Sequence, residues 1–169
     1  MQPIEVSESR TIPLQLEQTY EAVIAMPLPE MFARRHLLLP PIGDVPDQPE
    51  TWGERVGQTR TIHTTDGGRM HEELTEVDAP NAFGYRLSVL AGPMKALVGG
   101  VEGRWTFAPD SDGTRVTWSW RLTPKSATTR PVVRLIAAMW PGYAKKALEQ
   151  AELGALRGAV SAARDGAPA

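Results

Sequence analysis

Hydrophobic and polar residues alternate with a period of two through the middle of the chain, from Val56 to Thr123. This period is typical of half-buried strands. Short groups of turn-forming residues, Asp-Gly-Gly, Asp-Ala-Pro-Asn and Asp-Ser-Asp-Gly, interrupt the alternation and favour tight reversals. The pattern therefore predicts an antiparallel meander, preceded by one more strand near the N-terminus. The predicted strands are residues 4–12, 56–64, 69–78, 82–91, 101–109 and 114–123.

The two flanks of this region have helical spacing instead. Apolar residues recur three and four positions apart in 13–25, and a short second helix is predicted in 28–35. Residues 36–53 contain four prolines and no period, so they are expected to form a long loop. The segment 128–163 predicts a long amphipathic helix, which Pro141 should kink or split. Its predicted apolar stripe is Val132, Ile136, Met139, Trp140, Tyr143, Ala147, Ala151 and Ala155.

These elements predict one α+β domain spanning 1–163, followed by a frayed C-terminal tail at 164–169. A curved sheet can bury its concave face against the last helix. Small residues on that helix, such as Ala144, Ala147 and Ala151, would then leave room for a cavity.

Three stretches of the chain resemble the helix-grip superfamily that includes START lipid-transfer domains, pollen allergens and polyketide cyclase/dehydrase proteins (SRPBCC). They are TYEAVIAMPLPEMF, GQTRTIHTTDGGRMHEELTEVDAPNAFGY and GRWTFAPDSDGTRVTWSWRLTP. The resemblance covers nearly the whole chain, although the usual Ala-Pro step before the first helix is missing. It implies a helix-grip fold, in which a curved antiparallel sheet of about six or seven strands wraps a long C-terminal helix, with two short helices after the first strand. Most matching positions are fold residues, so activity is implied only by analogy.

The stretch TRTIHTTDGGRMHEEL, residues 59–74, raises the question of a metal or acid–base site. A three-residue loop at Asp66–Gly68 is favoured, which would place Ile62 opposite Glu72; a two-residue loop would shift the register by one. Because a one-residue slip turns core side chains outward, the apolar Ile62, Met70 and Leu74 favour the first register. His63 and His71 would then lie on the outer face, where two solvated histidines are the expected reading and a zinc site the alternative.

The inner face of this hairpin would place Arg60 and Glu72 near Tyr85 on the concave side of the sheet. Two interpretations stay open: an ion pair that fixes the register, or a polar anchor for a ligand inside an apolar pocket. Loops 36–53 and 91–100 would border the mouth of the cavity. The candidate ligand-binding residues are Arg60, Glu72, Tyr85, Leu87, Met94, Trp105, Trp118, Trp120, Met139, Trp140 and Tyr143, of which Arg60, Glu72 and Tyr85 are also catalytic candidates.

Composition narrows the classes of function. A net charge of −2 argues against nucleic-acid binding by charge, and the absence of cysteine excludes thiolate catalysis and disulfides. No long uncharged apolar stretch suggests a membrane span or a signal peptide, so a cytoplasmic location is expected. No metal and no cofactor are expected, and an apolar loop edge makes a homodimer plausible.

Two functions of different class follow. The chain could bind or carry a hydrophobic small molecule such as a lipid, a polyketide or an isoprenoid. Alternatively, it could be a cofactor-free polyketide cyclase, aromatase or dehydratase. The first is favoured, because no compelling acid–base pair is visible; an interaction module using Leu37, Leu38 and Leu39 is a third possibility.

Overall fold

A single antiparallel sheet of seven strands is the central element of the computed structural model, which describes residues 2–165. The strands are β1 (Ile4–Ile12), β2 (Ile42–Asp44), β3 (Thr59–Thr64), β4 (Arg69–Asp78), β5 (Ala82–Ala91), β6 (Val98–Asp110) and β7 (Gly113–Pro124). Strands β2 to β7 are consecutive neighbours in the sheet, and β1 completes it by pairing with β7. The predicted helix-grip α+β fold is therefore confirmed.

Three helices accompany the sheet: α1 (Leu16–Ala25), α2 (Leu28–Met31) and α3 (Arg130–Asp165). Helix α3 buries a stripe of small and aromatic residues, including Trp140, Ala144, Ala147 and Ala151. It continues unbroken through Pro141, so the predicted split does not occur. The stripe begins one position later than predicted, since Val133 is fully buried and Val132 is exposed. The helix also includes the first two residues of the predicted tail, and 166–169 lie outside the described residues.

The long loop predicted at 36–53 contains a strand that the sequence pattern did not indicate. Strand β2 has only three residues and pairs with β3 across a bulge, so no alternation could reveal it. The predicted second helix, 28–35, is limited to the single turn of α2. Between β5 and β6, a 3₁₀ helix covers Pro93–Ala96.

The β3–β4 hairpin has a different register from the predicted one. Ile62 lies opposite Met70, and Arg60 lies opposite Glu72, because the loop is Thr65–Gly67 and Gly68 already pairs with Thr64. The glycine with positive φ is Gly67 (+85°), and Asp66 accepts hydrogen bonds from the Gly68 N–H and the Thr64 hydroxyl. The error amounts to two residues. Since strands alternate with a period of two, every side chain still lies on its predicted face.

Within residues 2–165, no helix combines the length and the apolar character needed to cross a bilayer.

Candidate functional site

The concave face of the sheet encloses a small inner cavity of about 70 Å³. Eight of the predicted site residues line it: Arg60, Glu72, Tyr85, Leu87, Trp105, Trp118, Trp120 and Tyr143. Alternation brings them together, because these strand residues all point to the concave side, and Tyr143 of α3 closes the space from above. The remaining wall comes mainly from α1, α2 and the loop around Trp52.

A larger outer cleft of about 360 Å³ adjoins the inner cavity. The predicted Met94 lies here. Other residues of its wall are Leu38 and Leu39 in the loop before β2, and Val132 and Leu135 at the start of α3. Met70, Trp120 and Tyr143 line both spaces, so they form the partition between the inner cavity and the outer cleft. The two loops expected at the mouth, 36–53 and 91–100, both contribute to the wall of the cleft.

Arg60 and Glu72 form a buried ion pair in the wall of the inner cavity. The Arg60 Nε donates to the Glu72 carboxylate, and the two residues are only 5% and 3% exposed. A second guanidinium nitrogen donates to Gln48 Oε1 at 3.1 Å, and the Trp52 ring covers the guanidinium at 3.9 Å. The Arg60 charge is thus neutralised, hydrogen-bonded and stacked on a ring before any ligand arrives.

Tyr85 carries the most unusual polar group of the inner cavity. Its phenolic oxygen accepts hydrogen bonds from the indole N–H groups of Trp118 (2.8 Å) and Trp120 (2.9 Å). Two donors occupy both lone pairs of the oxygen, so the phenolic hydrogen must be directed elsewhere. Burial, reinforced by the charge of Glu72, raises the pKa of Tyr85 well above its usual value, although the indole donors act in the opposite direction. Tyr85 is therefore a neutral hydrogen-bond donor near neutral pH.

A glycine on the neighbouring strand sets the position of the Tyr85 ring. Gly103 lies opposite Tyr85, and a Cβ atom at Gly103 would come within 2.1 Å of the Tyr85 Cζ. The ring therefore lies over the bare backbone of β6, which directs the hydroxyl to the two indoles of β7.

The tryptophans form the centre of the core rather than a free platform for a ligand. Trp118 packs on Trp105 (ring centroids 5.1 Å apart) and on Trp140 (4.7 Å). Trp140 is fully buried and, like the half-buried Met139, lines neither the inner cavity nor the outer cleft. The structure thus places nine of the eleven predicted site residues in the walls of the two spaces and leaves these two outside both walls.

Several residues of both spaces were not predicted from the sequence. Gln48 and Trp52 contact Arg60, but they come from an aperiodic segment where no pattern indicates which side chains point inward. Trp52 was the available signal, since a large aromatic residue in a proline-rich loop usually packs against something. Leu38 lies in the loop that was expected to border the mouth, whereas the contribution of Val132 and Leu135 to the outer cleft depends on how α3 packs.

The two histidines on the outer face of the β3–β4 hairpin have different neighbours. His63 Nδ1 lies 3.0 Å from Asp44 Oδ1, whereas His71 lies opposite Thr61. Within residues 2–165, no three side chains of the types that bind metals come together. The stretch that carries the two histidines is a hairpin, and its inner face supplies Arg60 and Glu72 to the cavity.

Several solved structures have the same fold as this chain. The chain is similar to the Zhui aromatase/cyclase from a Streptomyces species (TM-score 0.70, 15% identity, 92% of this chain and 94% of that chain). It is also similar to the di-domain ARO/CYC protein BexL (0.63, 14%, 90% and 50%). A third similar structure is Ara h 8.0201 (0.62, 11%, 92% and 99%). At these identities the similarity concerns the fold alone.

A search of curated protein sequences found no match. The family model described as "Polyketide cyclase / dehydrase and lipid transport" matches residues 3–160, which is nearly the whole chain. This agrees with the resemblance stated from the sequence and with a role in binding a ligand or in polyketide-cyclase-type chemistry. The chain belongs to the polyketide cyclase/dehydrase and lipid transport family.

Proposed function

We propose that this protein binds a hydrophobic small molecule, whose apolar body occupies the outer cleft and whose polar end accepts a hydrogen bond from Tyr85. The observation that carries the proposal is the juxtaposition of a mostly apolar cleft with a buried hydroxyl whose two acceptor sites are already filled. Ligand sites typically combine apolar walls with a few fixed polar groups that orient the ligand.

The volumes of the two spaces support different roles, with the apolar body of the ligand in the outer cleft and its polar end in the inner cavity. A cleft of about 360 Å³ falls near the lower end of the range for small-molecule sites, roughly 300–1,000 Å³. The inner cavity of about 70 Å³ has room only for a few waters or one small polar group. Only the polar end of a ligand would therefore pass the partition formed by Met70, Trp120 and Tyr143.

The state of Arg60 favours a neutral polar end over a carboxylate. Its guanidinium is already paired with Glu72 and hydrogen-bonded to Gln48. An anionic ligand would have to compete with a buried carboxylate, and its own desolvation would be costly. A ketone, ester or alcohol oxygen would need only the free hydrogen of Tyr85, so lipids, polyketides and isoprenoids with such a group are the proposed ligand class.

Native mass spectrometry of the purified protein, followed by denaturing extraction, tests the proposal directly. A discrete adduct of a few hundred daltons with a neutral oxygen function is the expected result. The identified ligand should then bind Tyr85→Phe about fivefold more weakly, because one buried hydrogen bond contributes roughly 1 kcal/mol. Tyr143→Phe is the matched control, since the Tyr143 hydroxyl donates to the Pro40 carbonyl at 3.0 Å. Equal affinity of wild type and Tyr85→Phe would contradict the assignment of Tyr85.

One observation favours a second candidate function, a cofactor-free cyclase, aromatase or dehydratase. A phenol that receives two indole hydrogen bonds can stabilise negative charge developing on a carbonyl oxygen, as in an enolate. An enzyme predicts that Tyr85→Phe lowers kcat at least tenfold while KM changes little. A carrier predicts that the extracted ligand leaves the protein chemically unchanged.

A further inference from the structure

Two leucines are displayed at the tip of a small rigid turn beside the outer cleft. His36 and Leu39 exchange two backbone hydrogen bonds of 3.0 and 2.9 Å, which leaves Leu37 and Leu38 at the tip with 64% and 68% of their surface exposed. Leu37 has a φ of +51°, a conformation that bulky residues rarely adopt. Such strain at an exposed apolar residue calls for a functional explanation.

The base of this leucine turn is fixed to helix α3. The His36 ring lies where a side chain at Gly142 would be, and the Tyr143 hydroxyl donates to the Pro40 carbonyl. Lys146 Nζ adds a hydrogen bond of 2.8 Å to the Arg35 carbonyl. The exposed leucines therefore belong to a well-anchored projection.

The apolar surface continues across the mouth of the cleft onto the first turns of α3. Val132 and Leu135 line the cleft, yet they remain 44% and 57% exposed. Together with the leucine turn they form an apolar rim, defined by Leu37, Leu38, Val132 and Leu135. An apolar patch at the entrance of a ligand site marks an interaction surface.

Basic residues surround this apolar rim, although the whole chain carries a net charge of −2. Lys95 lies on the 3₁₀ helix that borders the cleft, and Lys125 donates to the Lys95 carbonyl. Arg35 lines the cleft, while Arg130 and Arg134 flank Val132 and Leu135 on α3. Among the described residues, these five make no ion pair with a carboxylate, and Asp66 is the acidic residue that lines the cleft.

We propose that the apolar rim docks on an anionic lipid bilayer, so that the mouth of the outer cleft opens onto the membrane. Exposed aliphatic side chains can enter the boundary between headgroups and acyl chains, while the surrounding basic side chains reach the anionic headgroups. A nucleic acid would match the charge but not the leucines. An acidic protein would match the charge, but the rim has no aromatic side chain of the kind that anchors protein interfaces.

Vesicle flotation tests this docking on the intact protein. Vesicles of phosphatidylcholine with about one third phosphatidylglycerol should carry the protein at about 50 mM salt and release it at about 500 mM salt, because salt screens the basic side chains. Vesicles of pure phosphatidylcholine should not carry it. Failure of the wild type to float with anionic vesicles rejects the proposal and leaves the rim to an acidic protein partner.

Matched variants separate the rim from the rest of the surface. Leu37→Ser and the double variant Lys95→Glu, Arg134→Glu should each weaken vesicle binding at least tenfold. Leu153→Ser and Arg157→Glu, on the exposed C-terminal part of α3, should bind like the wild type. Binding that survives the rim variants, or falls equally in the controls, overturns the proposal.

Because Leu37 does not line the outer cleft, Leu37→Ser should keep its affinity for an apolar fluorescent probe such as N-phenyl-1-naphthylamine. Loss of vesicle binding with intact probe binding is the expected result, and it keeps the docking proposal separate from the proposed ligand site. A variant that loses both together would show that the cleft, and not the rim, holds the lipid.

Discussion

Arg60 and Glu72 place opposite charges in a cavity wall that is otherwise largely apolar. Arg60 and Glu72 lie directly opposite each other on β3 and β4, so the Arg60 Nε can donate to the Glu72 carboxylate. Gln48 and Trp52 complete the surroundings of the guanidinium. Replacing a buried pair by apolar groups is often tolerated, whereas removing one partner leaves an uncompensated charge. The pair can therefore fix the hairpin register without adding much net stability.

A double-mutant cycle tests this interpretation of the ion pair. Arg60→Met or Glu72→Met alone should lower the free energy of unfolding by about 3–5 kcal/mol, because each leaves a buried charge behind. The double variant should be more stable than either single variant. Urea unfolding followed by circular dichroism measures all four corners of the cycle.

The exposed pair of Arg104 and Glu76 on the same sheet offers a matched control. Its hydrogen bonds are 2.6 and 2.7 Å long, but the two side chains are 50% and 36% exposed. The corresponding variants at these positions should change stability by at most about 1 kcal/mol. Additive losses at the buried pair would instead indicate that Arg60 and Glu72 act independently.

Helix α3 contributes to the walls of both spaces, and two of its glycines have different surroundings. A Cβ atom at Gly142 would lie 2.2 Å from His36 Nε2, whereas one at Gly158 would meet no heavy atom within 4 Å. Gly142 therefore provides the seat for the leucine turn. Gly158 is an ordinary helical glycine, for which alanine has the better helix propensity.

Alanine substitutions at these two glycines should therefore have different effects on the free energy of unfolding. Gly158→Ala should raise the free energy of unfolding by about 0.5–1 kcal/mol. Gly142→Ala should show no such gain, because the displaced His36 ring releases the turn, and limited proteolysis near residues 36–40 should become faster. Similar stabilisation by both substitutions, with unchanged proteolysis, would show that the turn does not depend on Gly142.

Elements with strong periodicity could be predicted, and elements that depend on tertiary contacts could not. The sequence predicted the two faces of β3 and β4 because alternation defines a face whatever the loop length. It missed the register by two residues, since either Gly67 or Gly68 is compatible with a left-handed turn position. Strand β2 escaped because its pairing, and not its own three residues, defines it.

The candidate site was predictable to the same extent. The alternation of side chains along the strands predicted that Arg60, Glu72 and Tyr85 lie on one wall. It could not indicate that the indoles of Trp118 and Trp120 both donate to the Tyr85 oxygen. That geometry depends on the ring lying over Gly103. Trp140 and Met139 share the predicted helix stripe with Tyr143, and only the packing of α3 on the sheet determines that they line neither space.

At the scale of the whole molecule, all three tyrosines of the chain lie in the core. Burial is the main cause that raises the pKa of each hydroxyl above its usual value near 10. The charge of Asp78 adds to the effect at Tyr20, that of Glu72 at Tyr85, and the nearby Tyr85 at Tyr143. The folded protein thus keeps three protons at alkaline pH that the unfolded chain releases.

This difference predicts an alkaline unfolding that is linked to tyrosine ionisation. Below pH 10 both states are protonated, so the tyrosines add no pH dependence there. Above pH 10 the unfolded state binds fewer protons, and the free energy of unfolding should fall by up to about 1.4 kcal/mol per pH unit for each tyrosine. Tyrosinate absorbance near 295 nm and the loss of far-ultraviolet circular dichroism should therefore appear in one transition.

Tyr20→Phe provides the sharpest check, because the buried Tyr20 hydroxyl has no hydrogen-bond partner among the described residues. Its removal should leave stability at pH 7 unchanged or slightly higher, since an unpaired buried polar group is costly. Above pH 10, the slope of stability against pH should become shallower by about one third, as one of three titrating groups is lost. Tyrosinate absorbance at pH 10 in a protein that is still folded would mean that the hydroxyls reach solvent without unfolding, and the closed core described here would be wrong.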